Sequence, residues 1–393
     1  MRPDALRVLI DARMLIGRFS GVARVVTRLV DELTRCPRLR VVALCGDQPY
    51  PPWIERRDME LVITDFRRRD RVATRRAIWE ERRLPAIIRR AGVDLFHATW
   101  NTGIPWRCPV PSVLTIHDLI PWSDAGGGYR GLLQRYTYRH AMRASLRRAA
   151  RITVVSDVVR RQMVSLLGVA PDRMTVVHNG VDAAPYRSPA PDPLSPGYVL
   201  YIGGHEPRKN VEAILEALMQ YWQRFDPRLE LRLTGDPQAL SPQAAACFRR
   251  LPPQAPIRFL GTLADHELSR QYASARALLL LSREEGFGLP ALEAMAWGCP
   301  AIVANRTSLP EIVGDAGVLV EADDPVGVAT ALHQVISSPA NRAQLIRRGT
   351  ERARSFTWAR AAAEYVRAYE SALGVAAKGA ADWPATSPVP GPL

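Results

Sequence analysis

The sequence predicts an α/β protein built from two doubly wound domains, and three observations carry that prediction. At 393 residues the chain exceeds what one core normally holds, since single cores stop growing at roughly 250–300 residues. Short, wholly apolar runs alternate with stretches of helical period, as expected for parallel strands buried on both faces and joined by crossover helices. The stretch 183–197, AAPYRSPAPDPLSPG, is proline-rich without apolar periodicity and reads as a semi-rigid linker between domains at 1–182 and 198–356. A last helix over 357–374 and an Ala/Pro/Gly-rich tail over 375–393, predicted to be disordered, complete the chain.

In the first half, 6–10 is a buried-type strand, and Ser20-Gly21 opens a helix over 22–33 whose Val22, Val25, Val26, Leu29, Val30 and Leu33 share a face. Gly21 is open to two readings at this point, a helix cap or exposed N–H groups facing an anion. Strands follow at 41–45 and 61–64, then an arginine-rich helix between Arg67 and Arg90 with Ile78, Leu84, Ile87 and Ile88 as apolar anchors. The strand 93–99 contains His97, and the strand from Pro111 runs directly into His117-Asp118. A histidine ending a buried strand serves equally as a hydrogen-bonded structural group or as a cleft residue. The helical stretch 129–150 mixes Tyr136, Tyr138, Met142 and Leu146 with arginines, suiting core packing with a basic face or an amphipathic surface. Ser156 caps a helix over 157–167, and a strand at 175–177 closes the domain.

The second half opens with a strand that runs through Tyr201 into Gly-Gly-His-Glu-Pro-Arg-Lys-Asn210 and a helix over 211–221. Arg208 and Lys209 stand at that helix start, where a cation is unfavourable unless an anion lies between. The conflict points to phosphate, with arginine as a bidentate fork and lysine as a compact charge. Strands at 229–234 and 257–263 lead to the most informative stretch, Ser282 to Ala304. There the apolar run 278–281 is a buried strand, Gly286 and Gly288 permit a tight turn, and Pro290 suits the first helical position. Gly298 and Pro300 end the helix before a strand at 301–304. A helix start beside a glycine loop, at the C-terminal end of a parallel strand, favours phosphate. Glu285 and Glu293 bracket it; carboxylates repel phosphate but accept paired hydrogen bonds from vicinal hydroxyls. Phosphate plus two hydroxyl-seeking carboxylates indicates a sugar nucleotide. Helices over 326–336, 341–355 and 357–373 close the chain, the last anchored by Trp358, Tyr365 and Tyr369.

The Glu-x7-Glu spacing of Glu285 and Glu293, inside Glu-Gly-Phe-Gly-Leu-Pro-x-Leu-Glu-Ala-Met-Ala-x-Gly-x-Pro, resembles the donor motif of GT-B retaining glycosyltransferases of family 4, the group 1 glycosyl transferases. The resemblance implies two Rossmann-like domains facing an interdomain cleft, the last helix returning to the N-terminal domain, and retention by front-face attack. It assigns Glu285 to the donor-sugar hydroxyls and the oxocarbenium-like centre, and Glu293 to the ribose. Arg208, Lys209 and the helix-start N–H groups of Gly288 and Leu289 would neutralise the leaving diphosphate. Gly21 would touch the pyrophosphate, with one glycine where relatives often have two. Gly204 stands where many members carry an arginine. Thr262 and Leu263 would receive the base through the backbone, and His117 would contact the donor sugar near its 6-hydroxyl. His97, Asp118 and Phe287 would line the sugar and acceptor cleft. The His-Asp-Leu, Glu-Pro-Arg-Lys-Asn and Ser-Leu-Pro-Glu segments look most like bacterial mannosyltransferases of O-antigen and exopolysaccharide assembly, which implies GDP-mannose first and a UDP-sugar or deoxysugar nucleotide second. It also implies a glycan acceptor linked to polyprenyl diphosphate. No cofactor beyond the donor is expected, and no metal, because Asp-x-Asp occurs nowhere in the chain.

The formal net charge of +14 suggests nucleic acid at first sight. The arginines recur through both halves without a helix-turn-helix, zinc-finger or RNP pattern, so no nucleic-acid partner is expected. Their densest stretches, 67–90 and 130–151, suit either a solvated surface or docking on anionic lipid, at ~1 kcal/mol per basic residue near the headgroups. Cys36, Cys45, Cys108, Cys247 and Cys299 form no Cys-x-x-Cys pair and read as reduced thiols. No apolar run approaches a membrane span, and Asp11 and Arg13 interrupt any signal-peptide pattern. The expected location is therefore the cytoplasm, with peripheral contact at the cytoplasmic face of the inner membrane. Two other classes compete: a GT-B-fold epimerase acting on a UDP-sugar alone, and a non-catalytic nucleic-acid-binding protein.

Overall fold

The apolar runs of the sequence become the strands of two parallel sheets. The computed structural model describes residues 5–15, 21–67, 73–122, 132–182 and 197–374. The expected linker (except Gly197), the tail over 375–393 and Ser20 lie outside the described residues. The elements are β1 (Leu6–Asp11), α1 (Gly21–Leu33), β2 (Leu39–Cys45), α2 (Pro51–Ile54), β3 (Glu60–Ile63), α3 (Ala73–Arg82), α4 (Leu84–Ala91), β4 (Leu95–Ala98), β5 (Ser112–Ile116), α5 (Leu132–Arg148), β6 (Arg151–Val154), α6 (Asp157–Leu167) and β7 (Met174–Val176). There follow β8 (Tyr198–Tyr201), α7 (Val211–Arg224), β9 (Glu230–Leu233), α8 (Pro242–Arg249), β10 (Ile257–Phe259), α9 (Asp265–Ser274), β11 (Ala277–Leu280), α10 (Leu289–Ala296), β12 (Ala301–Ala304), α11 (Leu309–Val313), β13 (Val318–Val320), α12 (Pro325–Ser337), α13 (Pro339–Arg354) and α14 (Trp358–Ala372).

Two compact units result, the first holding β1 to β7 together with α14, the second holding β8 to α13. The first sheet runs β3-β2-β1-β4-β5-β6-β7 and the second β10-β9-β8-β11-β12-β13. Every pairing within them is parallel. In each unit the winding direction reverses beside the opening strand, between β1 and β4 and between β8 and β11. Open sheets of this kind bind ligands outside the carboxyl ends of the strands at that switch point. In the second unit those ends lead into 202–210 and 281–288, the two segments that the sequence marks for phosphate and sugar. The strands that carry them are buried on both faces, and the residues of β8 and β11 are 0–6% exposed. Full burial of such side chains contributes about 1.5–3 kcal/mol each, which fixes the loop stems.

In the first unit α14 packs on the sheet with Trp358, Tyr365 and Tyr369 buried. The Tyr365 hydroxyl lies 3.2 Å from Thr115 Oγ1 on β5. The Tyr369 hydroxyl lies 2.8 Å from His97 Nδ1 on β4.

The arginine-rich helix between Arg67 and Arg90 departs from expectation. It is two helices, α3 and α4, with Pro85 in the first turn of the second. Its phase is also shifted, for Ile78 is 56% exposed while Arg76 and Glu80 are buried. Charged groups can occupy the inner face because they meet partners there. Arg13, 2% exposed, donates to Asp11 Oδ1 at 2.9 Å, to Asp11 Oδ2 at 2.7 Å and to Glu80 Oε1 at 3.0 Å. Arg76 donates to the same Glu80 oxygen at 2.9 Å and to the Thr102 hydroxyl. Phe66 and Trp79 cover the Arg13 guanidinium, with ring centroids 4.9 and 4.7 Å away, as cation–π contacts that strengthen once water is excluded. Burial raises the Asp11 carboxyl, but Arg13 and then Arg76 outweigh it and hold the group below the usual carboxylate range. On α5, Met142 and Leu146 are buried while Tyr136 is 68% exposed, so the helix packs part of its apolar set and leaves the rest at the surface.

Candidate active site

The second unit brings Lys209 and Arg208 to Glu285, in the loop that leads into α10. After β8, a single 3₁₀ turn over Pro207–Lys209 presents both cations, and Asn210 follows in a left-handed conformation at φ 55°. The Asn210 side-chain amide donates to the Leu281 carbonyl at 3.0 Å, and the Arg283 N–H donates to the Arg208 carbonyl at 2.7 Å. These bonds tie the cation turn to the loop after β11. Across them Lys209 Nζ lies 2.6 Å from Glu285 Oε1, with the two side chains 11% and 10% exposed. The Ser282 hydroxyl donates to the same oxygen at 2.9 Å. Burial pushes the Glu285 carboxyl up, but Lys209 and Arg208, with the Lys209 and Ser282 hydrogen bonds, hold it below the usual range. Glu285 is therefore ionised at neutral pH. Arg208 sits 3.9 Å from Glu206 Oε1, and Arg283 pairs with Glu212 at 2.6 Å.

Gly288 then turns the chain into α10 at φ 104°, a region that favours glycine, and a Cβ there would sit 2.7 Å from Leu309 Cδ2. Among the described residues the N–H groups of Gly288 and Leu289 have no hydrogen-bond partner, so the helix start keeps its anion-seeking donors. The Ser308 hydroxyl donates to the carbonyls of Phe287 and Glu285 at 2.9 and 3.1 Å, which braces this loop. Glu293 lies one turn into α10, 9% exposed, and its Oε2 accepts from the Tyr272 hydroxyl at 2.8 Å.

Gly204 is exposed and its carbonyl accepts from the Tyr201 hydroxyl. Gly235 and Gly261 exchange backbone hydrogen bonds at 2.8 and 3.2 Å, which places Thr262 exposed and Leu263 half-buried beyond β10. Phe287 does not fit a sugar-lining role. Its ring is 5% exposed and packs edge-on against Phe356 at 6.1 Å, since burying an aromatic ring outweighs presenting it to solvent.

In the first unit Gly21 is exposed as the first residue of α1. His117 Nε2 lies 2.8 Å from the Thr99 carbonyl, which can only accept, so Nε2 carries the proton. Nδ1 makes no hydrogen bond among the described residues. Burial lowers the pKa of His117, keeping the ring neutral. Asp118 Oδ1 accepts from the Ile120 N–H at 3.2 Å and from Asn101 at 3.4 Å, capping the turn after β5. His97 departs from the cleft expectation. It is 0% exposed, with Nε2 2.7 Å from the Thr115 hydroxyl and Nδ1 held by Tyr369. Burial and the neighbouring His117 push its pKa down to about 3. Both ring nitrogens are engaged inside the core, which makes His97 a structural residue.

Three residues of this arrangement have no assigned role in the sequence reading. Ser282 carried a signal, since it stands three residues before Glu285 at the strand end. Ser308 belongs to the Ser-Leu-Pro-Glu segment, but neither its bracing bond nor that of Tyr272 was readable, because their partners lie 21 positions away in sequence.

Two parallel-sheet α/β units of this winding are the architecture of the GT-B fold. The same fold is found in sucrose-phosphate synthase from Thermosynechococcus elongatus, with a TM-score of 0.73 and 20% identity over 94% of this chain and 99% of that one. It is found too in Anabaena HepE in complex with UDP-glucose, with a TM-score of 0.69 and 17% identity over 93% and 100%. Residues 19–184 match the family described as Glycosyltransferase Family 4, and residues 185–352 match Glycosyl transferases group 1. The chain is 30% identical to a phosphatidyl-myo-inositol mannosyltransferase of Mycolicibacterium smegmatis over 68% of its own length and 67% of that protein's. It is 33% identical to O-antigen chain mannosyltransferase B of Escherichia coli over 58% of its own length, spanning 63% of that relative. The chain belongs to the group 1, family 4 glycosyltransferases.

Proposed function

We propose that the chain is a retaining, metal-independent hexosyltransferase that moves mannose from GDP-mannose to a lipid-linked glycan acceptor in the assembly of a cell-surface polysaccharide. The observation that carries this reading is the Lys209–Glu285 pair at the mouth of α10. A cation and an anion held together at a phosphate-favouring helix start suit a substrate with a diphosphate at one end and hydroxyls at the other. Lys209, Arg208 and the N–H groups of Gly288 and Leu289 would take up the charge that grows on the leaving nucleoside diphosphate, the task a metal performs elsewhere. Glu285, kept ionised, would hold the donor-sugar hydroxyls and stabilise the oxocarbenium-like centre, while Glu293 takes the ribose hydroxyls. His117 would accept from the sugar through Nδ1, and the leaving phosphate would receive the acceptor's proton.

Mannose is favoured by the two relatives named as mannosyltransferases, and UDP-glucose is the second choice. A polyprenyl-diphosphate-linked acceptor and a docking site on anionic lipid, at the cytoplasmic face of the inner membrane, agree with the surface of the first unit. There Leu133 and Tyr136 on α5 are 76% and 68% exposed, and Arg148 stacks on the exposed Trp106 ring at 4.8 Å. Among the described residues no helix is long and apolar enough to cross a membrane.

A screen of nucleotide sugars for release of nucleoside diphosphate, with and without lipid-linked glycan, tests the proposal. The expected result is GDP release from GDP-mannose that depends on acceptor. Preference for a UDP-sugar removes the mannose assignment, and acceptor-free conversion of a UDP-sugar to its epimer removes the transferase assignment.

A further inference from the structure

Glu293 is anchored by a residue that lies outside the donor motif. Tyr272 stands on α9, 1% exposed, and its hydroxyl donates to Glu293 Oε2 at 2.8 Å in the interior of the second unit. The helix that carries it begins directly after the loop Gly261-Thr262-Leu263. Its C-terminal part is in turn pinned to β8, where the Tyr198 hydroxyl donates to the Gln271 carbonyl at 2.7 Å. One end of α9 thus adjoins the segment expected to receive the base, and the other fixes the carboxylate expected to receive the ribose.

A carboxylate that must take two vicinal hydroxyls has to present its plane at a defined angle. On a glutamate with three side-chain torsions that angle is set only if something fixes an oxygen. A hydroxyl donating to a charged acceptor, shielded from water, is a strong fixing bond. We infer that Tyr272 is a positioning residue for ribose recognition, holding Glu293 in the orientation that accepts the two ribose hydroxyls and keeping it in register with the base loop. The inference rests on the proposed nucleotide-sugar function.

Tyr272→Phe removes only the hydroxyl and leaves the ring in place. Affinities of wild type and Tyr272→Phe are measured by calorimetry for GDP and 2′,3′-dideoxy-GDP, with the UDP pair run alongside. Wild type is expected to prefer the ribonucleotide, and Tyr272→Phe to lose about tenfold of that preference while binding the dideoxy form as before. A merely structural hydroxyl would weaken both nucleotides alike, and that result overturns the inference, as does an unchanged preference. Wild type with no preference for the ribonucleotide contradicts the ribose role of Glu293 itself, and so is distinguishable from failure of the Tyr272 assignment. Tyr272→Phe/Glu293→Gln provides a second check. If Tyr272 acts through Glu293, the double variant loses no more ribose preference than Glu293→Gln alone; additive losses contradict it.

Discussion

Lys209→Ala is expected to lower sugar transfer by about 10²–10³-fold, the usual cost of losing one donor aimed at charge that develops in a transition state. The side chain has two tasks in the proposed mechanism. Toward the substrate it is a compact positive charge for the departing diphosphate. Toward the protein it is the largest influence opposing the rise that burial would impose on the Glu285 carboxyl. Removing it therefore also moves the acidic limb of kcat/KM to higher pH, because Glu285 then takes up a proton more readily. The sign for stability follows from the same shift. A carboxyl depressed on folding stabilises above its unfolded pKa of about 4.3, and that contribution is lost as pH falls through the lower folded value. In Lys209→Ala this pH-dependent contribution shrinks, and at neutral pH the fold loses about 1–3 kcal/mol, since Ser282 and Arg208 still face Glu285. A pH profile of kcat/KM with a thermal melt checks both parts. Wild-type activity in the variant would remove Lys209 from the mechanism.

Arg13→Met is expected to destabilise the first unit by about 3–5 kcal/mol, the loss typical of stripping one partner from a buried ion pair. The substituted side chain has similar volume, so the loss is electrostatic in origin. Asp11 keeps no guanidinium within hydrogen-bond reach among those described here, and Glu80 retains only Arg76. For a unit of this size the shift in Tm is on the order of 10 °C. Asp11→Asn in the Arg13→Met background should recover part of it, because one uncompensated charge disappears. A calorimetric scan in which Arg13→Met melts within a degree or two of wild type would contradict the buried-network account.

The second unit was largely legible in the sequence, the first less so. The loop after β11 declares itself through local rules: an apolar run, glycines that permit the turn, a proline at the helix start and two carboxylates at fixed spacing. Arg208 and Lys209 were legible for the opposite reason, being cations where a helix start disfavours them. The face of α3 was misread because periodicity assumes that charges face water. Glu80 turns inward to meet Arg13, 67 positions away and outside any window of sequence, and Arg76 turns inward to pair with Glu80 and Thr102. His97 failed similarly, as its ring is claimed by Thr115 on the next strand and by Tyr369, 272 positions along the chain. Phe287 sits in a motif that reads as ligand-facing, but Phe356 takes its ring. α8 has no readable period in the sequence, because its inner face amounts to Ala244 and Cys247, too little apolar surface to mark one.

The most direct measurement is amide hydrogen exchange of the full chain with and without saturating GDP, and with UDP in parallel. Binding as described predicts slowed exchange in 203–212 and 282–293, strongest at Gly288 and Leu289, and loss of that protection in Lys209→Ala. Protection confined to other segments, or equal protection in the variant, would contradict it.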